Sequence, residues 1–231
     1  LAAAEAIEST LNNATDQIGG DSSAPKGTVR VGAPDGFGLY FLAPKLGELH
    51  DLYPQLALEL VPISRNFAVS RREADIVITT ERPTQNSVVA KRLVEYELGL
   101  YASTSYLARS SAIAHIEDLQ HHRLVGYVDD LLFSASLDYT REFYRHWRND
   151  ISVASAVGQM NAVVGGAGVG ILHQYIAHDV PQLQRVLPSV AVKRTYWLTY
   201  HEEMRPIQRV QSVVKFIEEA VERALPTFSS N

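Results

Sequence analysis

Apolar positions along the chain switch repeatedly between the short alternations of strands and the three- and four-residue spacings of helices. Thr28 to Gly32 reads as a short strand, followed by a loop, Ala33-Pro34-Asp35-Gly36-Phe37-Gly38, and a helical spacing of Leu42, Leu46, Leu49 and Tyr53 that Pro54 closes. Leu56 to Val61 alternates as a strand, Phe67 to Glu73 fits a short helix, and Asp75 to Thr79 is a compact buried strand. A second set follows Leu93, with strands predicted at Leu98 to Ala102, Leu124 to Val128 and Ser152 to Val157. Its helices are predicted over Thr104 to Arg109, Ser136 to Trp147, Met160 to Gly166 and His173 to Ala177. Tyr196 to Tyr200 reads as a last strand. Ile207, Val210, Val214, Ile217 and Val221 then form one apolar stripe of a helix that begins near Pro206 and needs a partner surface. Strands alternating with helices predict parallel neighbours joined by helical crossovers, so the fold class is α/β in two similar halves.

The opening segment is of a different kind. Ile7, Leu11, Ala14 and Ile18 have the spacing of an amphipathic helix, and the stretch from Gly19 to Lys26 has the Gly, Ser and Pro content of a hinge. The chain starts at Leu1 without the charge and apolar order of a signal peptide, which reads as a start inside a longer protein. With 46% hydrophobic and 20% charged residues, the 231 residues suit one large or two small globular units, and no apolar run approaches the roughly 20 residues of a membrane helix. A net charge of -5 argues against this chain gripping a phosphate backbone by itself. The lack of cysteine removes disulfides, thiolate metal sites and a cysteine nucleophile, and favours the cytoplasm.

Four segments, in order and at the right spacing, resemble one family. They are Gly27-Thr28-Val29-Arg30-Val31-Gly32; Leu42-Ala43-Pro44-Lys45-Leu46 with Tyr53-Pro54; Arg72-Glu73-Ala74-Asp75-Ile76-Val77-Ile78; and the glycine-rich Val163-Val164-Gly165-Gly166-Ala167-Gly168-Val169-Gly170-Ile171-Leu172. Together they resemble the regulatory domain of LysR-type transcriptional regulators over nearly the whole chain, with one departure: His173 stands where the family often has proline. The resemblance implies two Rossmann-like subdomains joined by two crossover segments, like periplasmic binding proteins, with a small-molecule effector in the cleft between them. It assigns residues 1–26 to a linker helix and hinge, 27–96 plus 194–231 to subdomain I, and 97–193 to subdomain II. It also implies a homodimer or homotetramer that contacts DNA only through an N-terminal winged helix-turn-helix head. Two rivals share the scaffold: a solute-binding protein of a transport system, and an enzyme of the deaminase type.

Motifs of catalysis are not found. The glycines at 165, 166, 168 and 170 miss the dinucleotide spacing and follow a helix, which suits a helix C-terminal turn and a close approach to the next strand. No G-x-S-x-G elbow occurs, and Asp129 and Asp130, adjacent on the chain, point apart. None of the eight histidines pairs at the H-x-x-x-H spacing, so neither metal nor cofactor is expected, and no enzyme. Strand ends that face a ligand cleft nominate Asp35, Gly36 and Phe37, then Thr79 and Thr80, then Tyr127, Asp129, Gln159 and Asn161, with Phe133 before a helix start and His173 facing the cleft. Each also has a bland reading as a loop or structural residue; for Asp35 that reading is a cap on the helix that follows it. An uncompensated Asp35 would repel a simple anion, which turns the expected effector toward an amino or other donor group.

Overall fold

The structure, a computed structural model, describes residues 24–63, 74–132 and 137–228. Its strands are β1 (Gly27–Pro34), β2 (Leu56–Ile63), β3 (Ile76–Thr79), β4 (Val88–Ser103), β5 (Leu124–Gly126), β6 (Ile151–Ser152), β7 (Val169–His173) and β8 (Leu183–His201). The helices are α1 (Leu46–Leu52), α2 (Thr104–Leu107), α3 (Thr140–Phe143), α4 (Ala156–Val164), α5 (Gln174–Ala177), α6 (Gln208–Arg223) and α7 (Leu225–Phe228). The strands join in one mixed sheet ordered β2-β1-β3-β8-β4-β7-β5-β6. β1 runs parallel to β2 and β3, and β5 runs parallel to β6 and β7, as the alternating pattern predicts. Between these two parallel sets lies the long antiparallel pair β4 and β8, paired from Val88 with His201 to Ser103 with Leu183 with register shifts between Arg92 and Val94 and between Gly99 and Leu100. One lobe therefore holds β1 to β3 with α1 and α6, the other β5 to β7 with α2 to α5, and β4 and β8 pass through both.

β1 and β3 read correctly because they are buried on both faces: Val29, Val31, Ile76 and Ile78 are all fully inaccessible; β7, equally buried, has no predicted strand. Every residue of the predicted C-terminal stripe is also buried, and the surface it needs is β1 of its own lobe, where Arg209 Nε donates to the Thr28 carbonyl at 3.3 Å. Gly166 ends α4 with φ at 79°, and the next amide, of Ala167, returns to the Ala162 carbonyl at 3.0 Å, so this glycine is a helix stop.

Several elements differ from the sequence reading. β4 and β8 extend far beyond the predicted Leu98 to Ala102 and Tyr196 to Tyr200, because only the doubly buried part of each stands out as apolar while the rest is half exposed. Ser152 to Val157 is not a strand. It leaves β6 after Ser152, and Ser155 caps α4 by accepting from Gly158 N at 3.0 Å, so a local side-chain bond overrides the β-branched Val153 and Val157. Of the described residues 137–147 only the single turn α3 is α-helical, since Tyr139 and Phe143 go into the core and Tyr144 is extended. His173 ends β7 instead of lying in a helix. The loop at 33–38 is also shorter than predicted: Pro34 belongs to β1, and Gly36, Phe37 and Gly38 lie in a π-helical segment (Gly36–Leu42) that leads through a 3-10 turn into α1. The helix predicted at Phe67 to Glu73, the N-terminal helix and Phe133 lie outside the described residues.

Candidate functional site

Asp35 stands at the carboxyl end of β1, the position where open α/β sheets receive ligands. Its carboxylate makes no cap bond to the helix that follows it. It reaches across to the other lobe, where Oδ2 accepts from Ser155 Oγ at 2.6 Å and from Val157 N at 3.3 Å. Ser155 and Asp35 thus divide the unpaired N–H groups at the start of α4, Ser155 taking that of Gly158 and Asp35 that of Val157. Beside this bond the Gly36 backbone lies close against side chains of the other lobe. A side chain on Gly36 would begin 3.2 Å from Tyr175 Oη and 3.3 Å from both Ala156 Cβ and Ile176 Cδ1.

Behind Asp35 the buried core between the lobes is aromatic. Tyr96 stacks on Tyr196 with ring centres 4.1 Å apart and on His173 at 5.2 Å, and Phe37 meets Tyr196 edge-on at 5.1 Å. The Tyr175 and Tyr196 hydroxyls lie 3.1 Å apart in a hydrogen bond. Burial, aided by the nearby Asp35 charge, pushes the Tyr139, Tyr175 and Tyr196 hydroxyls far above the ordinary phenol range, so they remain neutral hydrogen-bonding groups.

Burial lowers the His173 imidazole to about 4, against the opposing pull of Asp35. The folded chain therefore keeps His173 neutral where the unfolded chain would protonate it. Its contribution is complete above about pH 6.5 and is lost progressively as pH falls toward 4, by about 3 kcal/mol. Urea unfolding at pH 7 and near pH 4 should show a larger acid loss for the wild type than for His173→Phe; equal losses would contradict the assignment.

Asp35, Gly36, Phe37 and His173 thus meet in one place. Tyr127 is half-buried and donates to the Ala154 carbonyl at 3.2 Å, next to Ser155. Thr79 is turned to its own loop, its hydroxyl donating to the Glu81 carbonyl at 2.7 Å, and Thr80 is buried. Gln159 is buried too, with Nε2 donating to the Val153 carbonyl at 3.0 Å, a bond that braces the start of α4. Asp129 and Asn161 are exposed. Sequence reasoning missed Tyr96, Tyr139, Ser155, Tyr175, Tyr196 and Phe228. For Ser155 a signal existed, a serine three residues before Gly158 ahead of an apolar run; the tyrosines carry none, because their convergence depends on the pairing of β4 with β8.

Two lobes joined by paired strands are also what the comparisons find. The profile of the family described as "LysR substrate binding domain" matches residues 22–222. The chain belongs to this family. A LysR substrate-binding domain is a module of transcriptional regulators and not of an enzyme family, and curated relatives agree. An "HTH-type transcriptional regulator" of Xanthomonas campestris pv. campestris is 29% identical over 120 residues, 52% of this chain and 35% of that protein. The "Glycine cleavage system transcriptional activator homolog" of Haemophilus influenzae is 23% identical over 211 residues, 90% of this chain and 69% of that protein. In fold, the LysR domain resembles the regulatory domain of CrgA from Neisseria meningitidis, with a TM-score of 0.76 at 18% identity, covering 84% of this chain and 98% of that one. The expected two-lobed α/β class is thereby met. The relatives are regulators, which favours the regulatory reading over the transport one.

Proposed function

We propose that this LysR domain senses a small molecule in the cleft and converts its binding into a change of lobe closure that alters how paired DNA-binding heads are held. The observation that carries this reading is the direct meeting of the β1 end, at Asp35 and Gly36, with the start of α4 and with Tyr175 and Ile176 of the other lobe. An effector can shift such an equilibrium only by binding one arrangement better than the other, and a group bonded across the cleft is where that difference arises. The proposed subdomains are 27–96 plus 194–231 and 97–193; Tyr96 pairs with Arg194 and Glu97 with Lys193, so the two boundaries lie opposite each other on the β4 and β8 ladder. The proposed effector contacts are Asp35, Phe37, Tyr127 and His173, with Gly36 allowing the close approach and Thr79, Thr80, Asp129, Gln159 and Asn161 in outer positions. The reading is tested by thermal-shift screening of matched amines and carboxylates against this chain. A saturable ligand whose effect is lost in Tyr127→Ala is expected; ligands that stabilise the wild type and this variant equally would argue against the cleft.

The partner is a second copy of this chain. β2 is the outermost strand of its lobe, and beside it Leu46, Leu49, His50, Leu56 and Leu58 line an apolar groove while Leu52 is 56% exposed. Sedimentation should show a dimer at tens of micromolar that Leu52→Asp weakens by about 10- to 100-fold, the range of an interface hot spot; a monomeric wild type would remove this proposal. DNA contact is assigned to a part of the protein beyond these residues, in keeping with the acidic charge, and a cytoplasmic site of action follows from that role. Among the described residues no helix is long and apolar enough to cross a membrane.

A further inference from the structure

We propose that Asp35 is an internal ligand: its carboxylate fills the place at the start of α4 that an external carboxylate would need, latches the lobes together and makes the cleft reject anionic effectors. The inference deepens the effector reading of the cleft, on which its specificity part rests. Three observations converge on it. First, the bond is between lobes: Asp35 and Ser155 lie 120 positions apart, and the carboxylate receives both a hydroxyl and a main-chain N–H there. The start of a helix favours negative charge through its unpaired N–H groups and dipole, so α4 presents this surface to whichever anion reaches it. Second, Asp35 forgoes the local use open to it, as a cap on its own helix, and its backbone is helical where a capping residue would be extended. Third, the latch is built in by close packing. Gly36, the next residue, lies so close to the Tyr175, Ala156 and Ile176 side chains that any side chain there would require these neighbours to shift.

The consequence for ligand class is direct. A carboxylate effector would have to displace Asp35 from α4 and then remain beside the displaced like charge, next to the buried Tyr175 and Tyr196. A cationic donor meets the opposite situation: it pairs with Asp35 as the latch opens. Asp35 is thus the residue that sets effector charge.

The test is chemical rescue in the 231-residue chain. Asp35→Ala removes a carboxylate and leaves a methyl group, a gap the size of formate. We expect Asp35→Ala to show a larger radius of gyration by small-angle scattering than the wild type. Formate at roughly 0.1 M, compared with equal chloride, should contract it and raise its Tm by about 2–4 °C. Acetate, too large for the gap, should do less, and Asp35→Asn, which keeps the gap filled, should not respond. Adding Ser155→Ala to Asp35→Ala should remove the response. If Asp35→Ala is unfolded alone, formate-dependent recovery of its circular dichroism is the same result. A variant that ignores formate, or a wild type that responds equally, overturns the proposal. Because no natural effector is needed, a failed rescue is distinct from a failed ligand screen.

Discussion

Gly168→Ala should destabilise the chain by about 3 kcal/mol or more, at the upper end of what a single added methyl group does in a packed protein. The methyl carbon would stand 2.1 Å from the Arg123 carbonyl oxygen and 2.8 Å from its carbon, both main-chain atoms that no rotamer change can move aside. That same oxygen accepts from Val169 N at 2.8 Å, the first rung of the ladder that pairs Leu124 with Val169 and Val125 with Gly170. Relief of the clash therefore requires the separation of β5 from β7, and these strands with β4 form the frame of the second lobe. At about 2–4 °C per kcal/mol for a chain of this size, the Tm should fall by about 6–12 °C. Gly165→Ala is the matched control. Gly165 has a φ of -68° and its added carbon would lie 3.4 Å from the nearest atom, so alanine there should be neutral or stabilising by up to about 1 kcal/mol through the unfolded chain. Equal stability of Gly168→Ala and wild type would sink the account of why this glycine is needed.

The same glycine shows how much of the fold is legible in the sequence. The cluster from Gly165 to Gly170 misses the dinucleotide spacing, and from that alone a helix stop and a close strand approach follow, both of which Gly166 and Gly168 display. The buried strands β1 and β3 and the α6 stripe are equally legible, because one local pattern decides each of them. The site was legible only in part. The placement of Asp35, Gly36 and Phe37 follows from the end of β1, but the bond Asp35 makes depends on Ser155, far along the chain and hidden in a segment whose β-branched residues mimic a strand. Tyr96 and Tyr196 lie on strands longer than their apolar runs, and their stacking is set by the register of β4 on β8, which no local pattern encodes.

Phe228→Ala should cost about 3–5 kcal/mol, the range for removing a fully buried phenyl ring. Phe228 is 0% exposed although it lies in α7, a helix of 4 residues. So short a helix has no stability of its own in water, because nucleation costs more than its few bonds return. What holds it is the ring, which packs at 5.0 Å on Phe41 of the first lobe and at 4.7 Å on Tyr175 of the second. The ring thus ties the lobes together through aromatic contacts, next to the Tyr175 and Tyr196 hydroxyl pair. Truncation should then release the whole segment as well as leaving a hole. The Thr227 amide, bonded to the Ala224 carbonyl at 2.9 Å, should lose its protection from hydrogen exchange, while amides in the middle of α6 keep theirs relative to the lowered global stability. Leu225→Ala, at a side chain 48% exposed on the same turn, should change stability by less than about 0.5 kcal/mol. Phe41→Ala and Phe228→Ala together should fall short of additive by about 0.5–1.5 kcal/mol, because both remove the same ring contact. Strict additivity in urea unfolding, with Thr227 still protected in Phe228→Ala, would mean that α7 is held by its backbone and not by its ring.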